Sequence, residues 1–212
     1  MPRGWTKILN RKDIVDKLDY FLLKNDSLKN LQKIFCNKNP IVLDIGTGKG
    51  LFLCKISKKY QQINFLGIDG KKKRIISTVK KLNKDINSNV RLLNIYVDKQ
   101  IDKLFNPNQF IMVYINYPDP WTKKRQNKKR LVNGEFLSSL AKILKKNGMV
   151  KIVTDSCEYS DIIEKSIKQS QKFDLSNEKE YLLKEQISTI FEKIQATKGF
   201  SPQIYYIKKR DN

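Results

Sequence analysis

Residues Ile41–Gly50 read IVLDIGTGKG. The first six, Ile41–Gly46, form an apolar run of strand length that stops at glycine, the signature of a strand buried on both faces. Gly46, Gly48 and Gly50 follow at every second position. Glycine tolerates positive φ and lets a ligand approach the backbone closely. Beyond them, Leu51, Leu53, Cys54 and Ile56 fall on one helical stripe. Strand, glycine turn and helix in this order open a parallel α/β sheet.

The same alternation continues along the chain. Asn64–Asp69 (NFLGID) reads as a second strand, followed by a helix with Ile75, Ile76, Val79 and Leu82 on one face and lysines on the other. Asn89–Val97 is a third strand and Phe110–Tyr117 a fourth, apolar on both faces. Gly134–Lys146 is an amphipathic helix that Asn147-Gly148 is expected to cap. Met149–Asp155 is a fifth strand, 157–170 a helix, and Gln203–Arg210 a late strand. Residues 12–35 supply one or two helices ahead of the first strand. The pattern predicts a Rossmann-like α/β fold with a mostly parallel, doubly wound sheet. It is read as one domain over 1–212, with an N-terminal helical extension (1–38) on a core (39–212).

Composition narrows the chemistry. The chain has 212 residues, 40% of them hydrophobic, enough for one packed core. It contains no histidine, which removes histidine-based catalysis and histidine-ligated metals. Cys36, Cys54 and Cys157 are dispersed, with no CxxC pair, so neither a disulfide framework nor a zinc site is expected. No apolar run approaches the ~20 residues of a membrane span. Met1–Lys12 lacks the apolar core of a secretory signal, and a cytoplasmic protein is expected. Lys and Arg number 43 against 21 acidic residues, a net charge of +22, and such a field attracts polyanions, nucleic acid foremost.

The strand ends suggest the cofactor. Asp69 closes the second strand, where an acid can bond ribose hydroxyls. A dinucleotide fingerprint needs G-x-G-x-x-G, and position 51 is Leu. Asp44, inside the first strand, would repel a pyrophosphate and suits a ligand bearing an ammonium and a sulfonium, S-adenosylmethionine. The competing reading of Gly46–Gly50 is a tight strand-to-helix turn with no ligand.

After the fourth strand comes Asn116–Arg130, NYPDPWTKKRQNKKR. In an open α/β sheet, ligands sit beyond the carboxyl ends of the strands. Pro118 and Pro120 stiffen this turn and fix the direction of Asp119, while Trp121 offers an apolar face. Lys123, Lys124, Arg125, Lys128, Lys129 and Arg130 follow directly, a run suited to gripping phosphates.

Together IVLDIGTGKG, NYPDPWTKKRQNKKRL and VTDS resemble the tRNA (guanine-N7-)-methyltransferases of the bacterial TrmB type, from about Ile41 to the C-terminus. The resemblance implies a class I S-adenosylmethionine-dependent methyltransferase fold with an antiparallel last strand. It implies methyl transfer to guanine N7 in the variable loop of tRNA. Cofactor contacts fall on Asp44, Gly46, Gly48, Asp69, Tyr96 and Asp119, with Asp119 also the catalytic-loop acid. RNA contacts fall on Lys123 and Asp155, and the family's T-x-[FY]-E element falls on Thr189–Glu192. Arg125, Lys128 and Arg130 join them as expected phosphate contacts, and Lys208–Arg210 is a further candidate. The chain departs from the family at Tyr96, where an acid or amide is usual, with Asp98 two residues on. Two rival readings are an amino-methyltransferase acting on adenine N6 or cytosine N4, and a non-catalytic basic RNA-binding protein. Against the first, Asp119 interrupts the consecutive prolines such enzymes carry; against the second, Asp44, Gly46, Gly48 and Asp69 are intact. No metal and no membrane partner are expected, and monomer and homodimer both stay open.

Overall fold

The computed structural model describes residues 12–177, 183 and 201–211. Seven strands form one sheet in the order β3-β2-β1-β4-β5-β7-β6. They are β1 (Ile41–Ile45), β2 (Asn64–Ile68), β3 (Val90–Leu93), β4 (Phe110–Asn116), β5 (Leu144–Thr154), β6 (Phe173–Leu175) and β7 (Gln203–Lys209). The pairs from β3 through β5 are parallel, and β7 runs antiparallel to both β5 and β6. The mostly parallel sheet with its antiparallel last strand is the predicted fold. Strand order reverses between β1 and β4, which places a crevice at their carboxyl ends.

The strands split their side chains with period two. Ile41, Leu43 and Ile45 of β1 face one core, with Val113 and Ile115 of β4. Val42 faces the other, with Met112 and Tyr114. Helices α3 (Leu51–Lys59) and α4 (Lys72–Lys81) cover the second face, and α5 (Gly134–Ile143) and α6 (Cys157–Gln169) the first. Both halves of the N-terminal segment are part of these cores. Helix α1 (Lys12–Phe21) sends Ile14, Leu18 and Phe21 into one, and α2 (Leu31–Phe35) sends Leu31 and Phe35 into the other. Between them the chain crosses the β3 edge, where Leu22 bridges Leu92 and the Leu23 amide donates to the Leu92 carbonyl at 2.8 Å. That contact covers a sheet edge otherwise open to pairing.

Three details differ from the sequence pattern. Helix α5 ends at Ile143 instead of Lys146, because Leu144 already has the extended angles φ −79° and ψ 140° and enters β5. The register jumps from Phe110↔Leu144 to Met112↔Met149, so Lys145–Gly148 bulge out of β5. Asn147, at φ 57°, serves that bulge and not a helix cap. Strand β3 stops at Leu93, since Asn94 turns its side-chain amide back to the Asp69 carbonyl at 2.8 Å. Strand β6 is new; its three residues are too few for an alternation to show.

Candidate active site

The glycine turn after β1 is pinned from three sides. The Gly46 and Thr47 amides both donate to the Ile68 carbonyl at the end of β2, at 2.8 and 2.9 Å. The Gly48 amide donates to Asp69 Oδ2 at 3.0 Å. The Thr78 hydroxyl of α4 donates to the Gly48 carbonyl at 3.1 Å. Gly46, Gly48 and Gly50 have φ of 79°, 60° and 75°, as the sequence predicts. A Cβ on Gly46 would meet nothing within 4 Å, so open space lies beside the turn. At Gly50 the requirement is steric as well, because a Cβ would come within 2.3 Å of Thr78 Cγ2.

Two adjoining cavities open at the carboxyl ends of the strands. One, of about 210 Å³, is lined by Asp69, Gly70, Ile95, Tyr96, Asp119 and Trp121, among others. The other, of about 470 Å³, is lined by Asp44, Thr47, Gly48, Phe52, Asp119 and Asp155, among others. Gly46, Arg74 and Asn116–Asp119 line both. The fold thus brings together Asp44, Gly46, Gly48, Asp69, Tyr96, Asp119 and Asp155 from five strand ends and their loops.

The acids differ in setting. Asp69 accepts from the Gly48 and Lys71 amides and has Arg74 at 3.6 Å. Asp44 is 2% exposed, and burial pushes its carboxyl up to about 7, the negative Asp69 adding to the rise and the Thr47 side chain opposing it. The Thr47 hydroxyl lies beside the Asp44 carboxyl, but among the described residues neither Asp44 Oδ2 nor Thr47 Oγ1 meets a partner in full hydrogen-bond geometry. Buried polar atoms left without partners beside a cavity are suited to a polar ligand. A ligand ammonium would satisfy Asp44, a diol could share the remaining lone pairs of Asp69, and an aromatic base fits the Ile95–Val97 wall. S-adenosylmethionine carries all three groups, so the donor set fits it. Tyr96 stands 77% exposed, and its ring covers Gly70 so closely that a Cβ there would come within 2.3 Å of it.

Asp119 is exposed on a loop flanked by two residues with left-handed backbone, Tyr117 at φ 51° and Trp121 at φ 45°. Such strain in non-glycine residues gathers at functional sites. Lys123, Arg125 and Lys128 are exposed on the 3-10 turn Lys124–Lys129 and the residue before it. Lys129 lies over the Trp121 ring at 5.0 Å.

Arg130 departs from its expected place. Its side chain is 2% exposed and cannot lie along an RNA backbone. It points inward, donating from Nε to the Pro120 carbonyl at 2.7 Å and from Nη2 to Glu158 Oε1 at 2.8 Å. Nothing local marks it out; a lone arginine ending a basic run looks like its neighbours until the fold supplies α6. Lys209 and Arg210 also differ. Because β7 is antiparallel, its end lies beside the start of β5, across the sheet from Asp119. There Lys209 donates to the Leu144 carbonyl at 2.6 Å, and Arg210 pairs with Asp174 at 2.7 Å. Thr189 and Glu192 lie outside the described residues. Several lining residues are not marked as site residues by the sequence, Thr47, Arg74 and Asn116 among them; among the described residues the buried Nδ2 of Asn116 has no hydrogen-bond partner. For Asn116, its place as the last residue of β4 is the available signal. Among the described residues there is no metal-ligating cluster, and no helix is long and apolar enough to cross a membrane.

Comparisons with known proteins agree with this geometry. The Methyltransf_4 family model, described as "Putative methyltransferase", matches residues 38–200. A solved structure, the aminoglycoside resistance methyltransferase NpmB1, superposes with a TM-score of 0.54 over 89% of this chain and 94% of its own, at 16% identity. That likeness shows the class I methyltransferase fold. A tRNA (guanine-N(7)-)-methyltransferase of Oceanobacillus iheyensis is 40% identical over 129 residues, and the match spans 60% of this chain and 59% of that relative. One of Mycoplasma capricolum subsp. capricolum is 32% identical over 203 residues, 90% of this chain and 89% of the relative. With strand order, glycine turn and proline-flanked acid in place, and with a relative aligned along nearly its whole length, the chain belongs to the tRNA (guanine-N7-)-methyltransferase family.

Proposed function

We propose that this protein transfers a methyl group from S-adenosylmethionine to N7 of a guanine in the variable loop of tRNA. One observation carries the reading. Asp119, on a proline-braced loop at the crevice between β1 and β4, lines both cavities, and the exposed basic turn begins just beyond it.

The bound cofactor supplies an electrophilic methyl group on a sulfonium. The chain's own task is alignment. Guanine N7 bears an in-plane lone pair and no proton, so the site needs no general base, which suits a chain without histidine. Asp44 and Thr47 hold an ammonium, Asp69 a ribose diol, and Tyr96 and its neighbours the adenine side. Asp119 accepts from guanine N–H groups, and its charge faces the cation that N7 alkylation leaves on the purine. Holding reactants in an attack geometry can lower a barrier by roughly 7–11 kcal/mol in favourable cases. An A-form groove hides N7, so the target must lie in a loop or be turned outward. Lys123, Arg125 and Lys128 grip the phosphates on either side, and Asp155 stands at the larger cavity's rim. Thr189 and Glu192 keep the RNA contacts implied by the family. We assign the reaction to the cytoplasm, where translation draws on tRNA.

Mass spectrometry of nucleosides from tRNA treated with purified protein and S-adenosylmethionine is the test. The expected product is 7-methylguanosine in the variable loop. N6-methyladenosine, N4-methylcytidine or no methylated nucleoside would overturn the proposal.

A further inference from the structure

The geometry points to Arg130 as a positioning residue that closes the neck of the basic loop and holds the backbone beside Asp119 in its reactive place. The inference rests on the methyltransferase reading above for its kinetic arm only.

Arg130 reaches back across ten residues. Its Nε donates to the Pro120 carbonyl at 2.7 Å, and its Nη2 lies 3.5 Å from the Trp121 carbonyl. Those are the carbonyls of the two residues directly after Asp119. From the other side, Nη2 bonds Glu158 Oε1 at 2.8 Å and the guanidinium lies 5.4 Å from the centre of the Tyr159 ring. Tyr159 is itself fixed, since its hydroxyl accepts from the Val132 amide at 2.8 Å. The segment Trp121–Lys129 is therefore a loop tied at its base and anchored to α6. Its exposed lysines and Arg125 face solvent, while its closing residue is buried.

Stability is a poor account of this side chain. A buried guanidinium is costly to desolvate, its acidic partner Glu158 is 58% exposed, and among the described residues Nη1 has no hydrogen-bond partner. What an apolar residue could not do is hold two carbonyls in place. Those carbonyls belong to a turn that carries left-handed backbone at Tyr117 and Trp121, a conformation that persists only when its surroundings impose it. The tie also gives the RNA-gripping turn and the acid a common anchor, so docking of phosphates on one side fixes the aim of the other.

The test compares Arg130→Met, which keeps length and apolar packing, and Arg130→Lys with the unaltered full chain. Three quantities are read: kcat and KM for tRNA at saturating cofactor, Kd for S-adenosylhomocysteine, and the rate of trypsin cleavage within Lys123–Lys129. Arg130→Met should lower kcat about 100-fold, the loss expected when a reacting group is misplaced by ~1 Å. KM and Kd should stay within about threefold, while loop cleavage accelerates about tenfold as the neck opens. Arg130→Lys should recover part of both, because an ammonium can still reach one carbonyl. A kcat within threefold of the unaltered protein, or unchanged loop cleavage, would overturn the proposal. Should Arg130→Met not fold, Glu158→Ala decides, since Glu158 is 58% exposed and its truncation removes the acceptor for Arg130 Nη2 while leaving the core packing intact. Loss of kcat and faster loop cleavage in Glu158→Ala support the neck, and no change in either overturns it. A protein that binds S-adenosylhomocysteine and shows the cleavage difference but makes no 7-methylguanosine would sink the proposed activity and leave the neck standing.

Discussion

Asp44 and Asp119 are both carboxylates at strand ends, yet their surroundings set them to different work. Asp119 is exposed and touches both cavities, so its replacement should cost chemistry and not cofactor. Asp119→Asn is expected to lower kcat at least ~100-fold with Kd for S-adenosylhomocysteine within ~3-fold, measured by single-turnover kinetics and calorimetry. Asp44 is buried, and its carboxyl is raised to about 7. Between pH 4 and 7 the unfolded chain ionises this group while the folded one keeps its proton, so free-protein stability from this source falls as pH rises through that window and is level above it. Cofactor binding runs the other way, because an ammonium needs the charged form. From pH 6 to pH 8 the affinity for S-adenosylhomocysteine should rise about tenfold, and Asp44→Asn should remove that slope. Both acids were legible in the sequence, Asp44 by its place before the glycines and Asp119 by its prolines. Arg130 was not, for its partners Pro120 and Glu158 lie 10 and 28 residues away and only the fold joins them.

The glycine turn and the basic turn are the two elements on which the site depends, and each fails in its own way. Gly50→Ala meets φ 75° and a Thr78 methyl at 2.3 Å, and it should destabilise the protein by about 2 kcal/mol or more, read as a fall in the denaturant midpoint. Thr78→Ser in the same chain should restore part of it by removing the methyl. The exposed turn acts through charge. Replacing Lys123 and Arg125 with Gln should weaken tRNA binding and reduce the slope of log K against log salt by about 1.5, from two lost phosphate contacts at 0.7–0.9 each. An unchanged slope would place these side chains away from the phosphates. Strands β1, β2 and β4 could be read directly, since each is an apolar run of five to seven residues bounded by polar or turn residues. The end of α5 could not, because Leu144–Gly148 carries a helical cap signal that sheet pairing with Phe110 overrides.

The N-terminal segment reads as an extension, yet Ile14, Leu18, Phe21, Leu31 and Phe35 are built into the two cores that sandwich the sheet. Removing residues 1–38 should therefore abolish cooperative unfolding, and Phe21→Ala alone should cost about 3–5 kcal/mol in chemical denaturation. A truncated chain that melts cooperatively at the full chain's temperature would show the core to be independent. The alternation of apolar runs and amphipathic stripes was enough to give the α/β class, the strand-end acids and the proline-braced loop, because burial period and turn chemistry are local properties of a chain. Local pattern carries no record of which distant groups meet. The inward turn of Arg130, the removal of Lys209 and Arg210 to the end of the sheet opposite Asp119, and the covering of β3 by Leu22 all follow from long-range pairing. Each joins residues far apart in the chain, where the free energy of contact depends on the whole packed sheet and not on any segment alone.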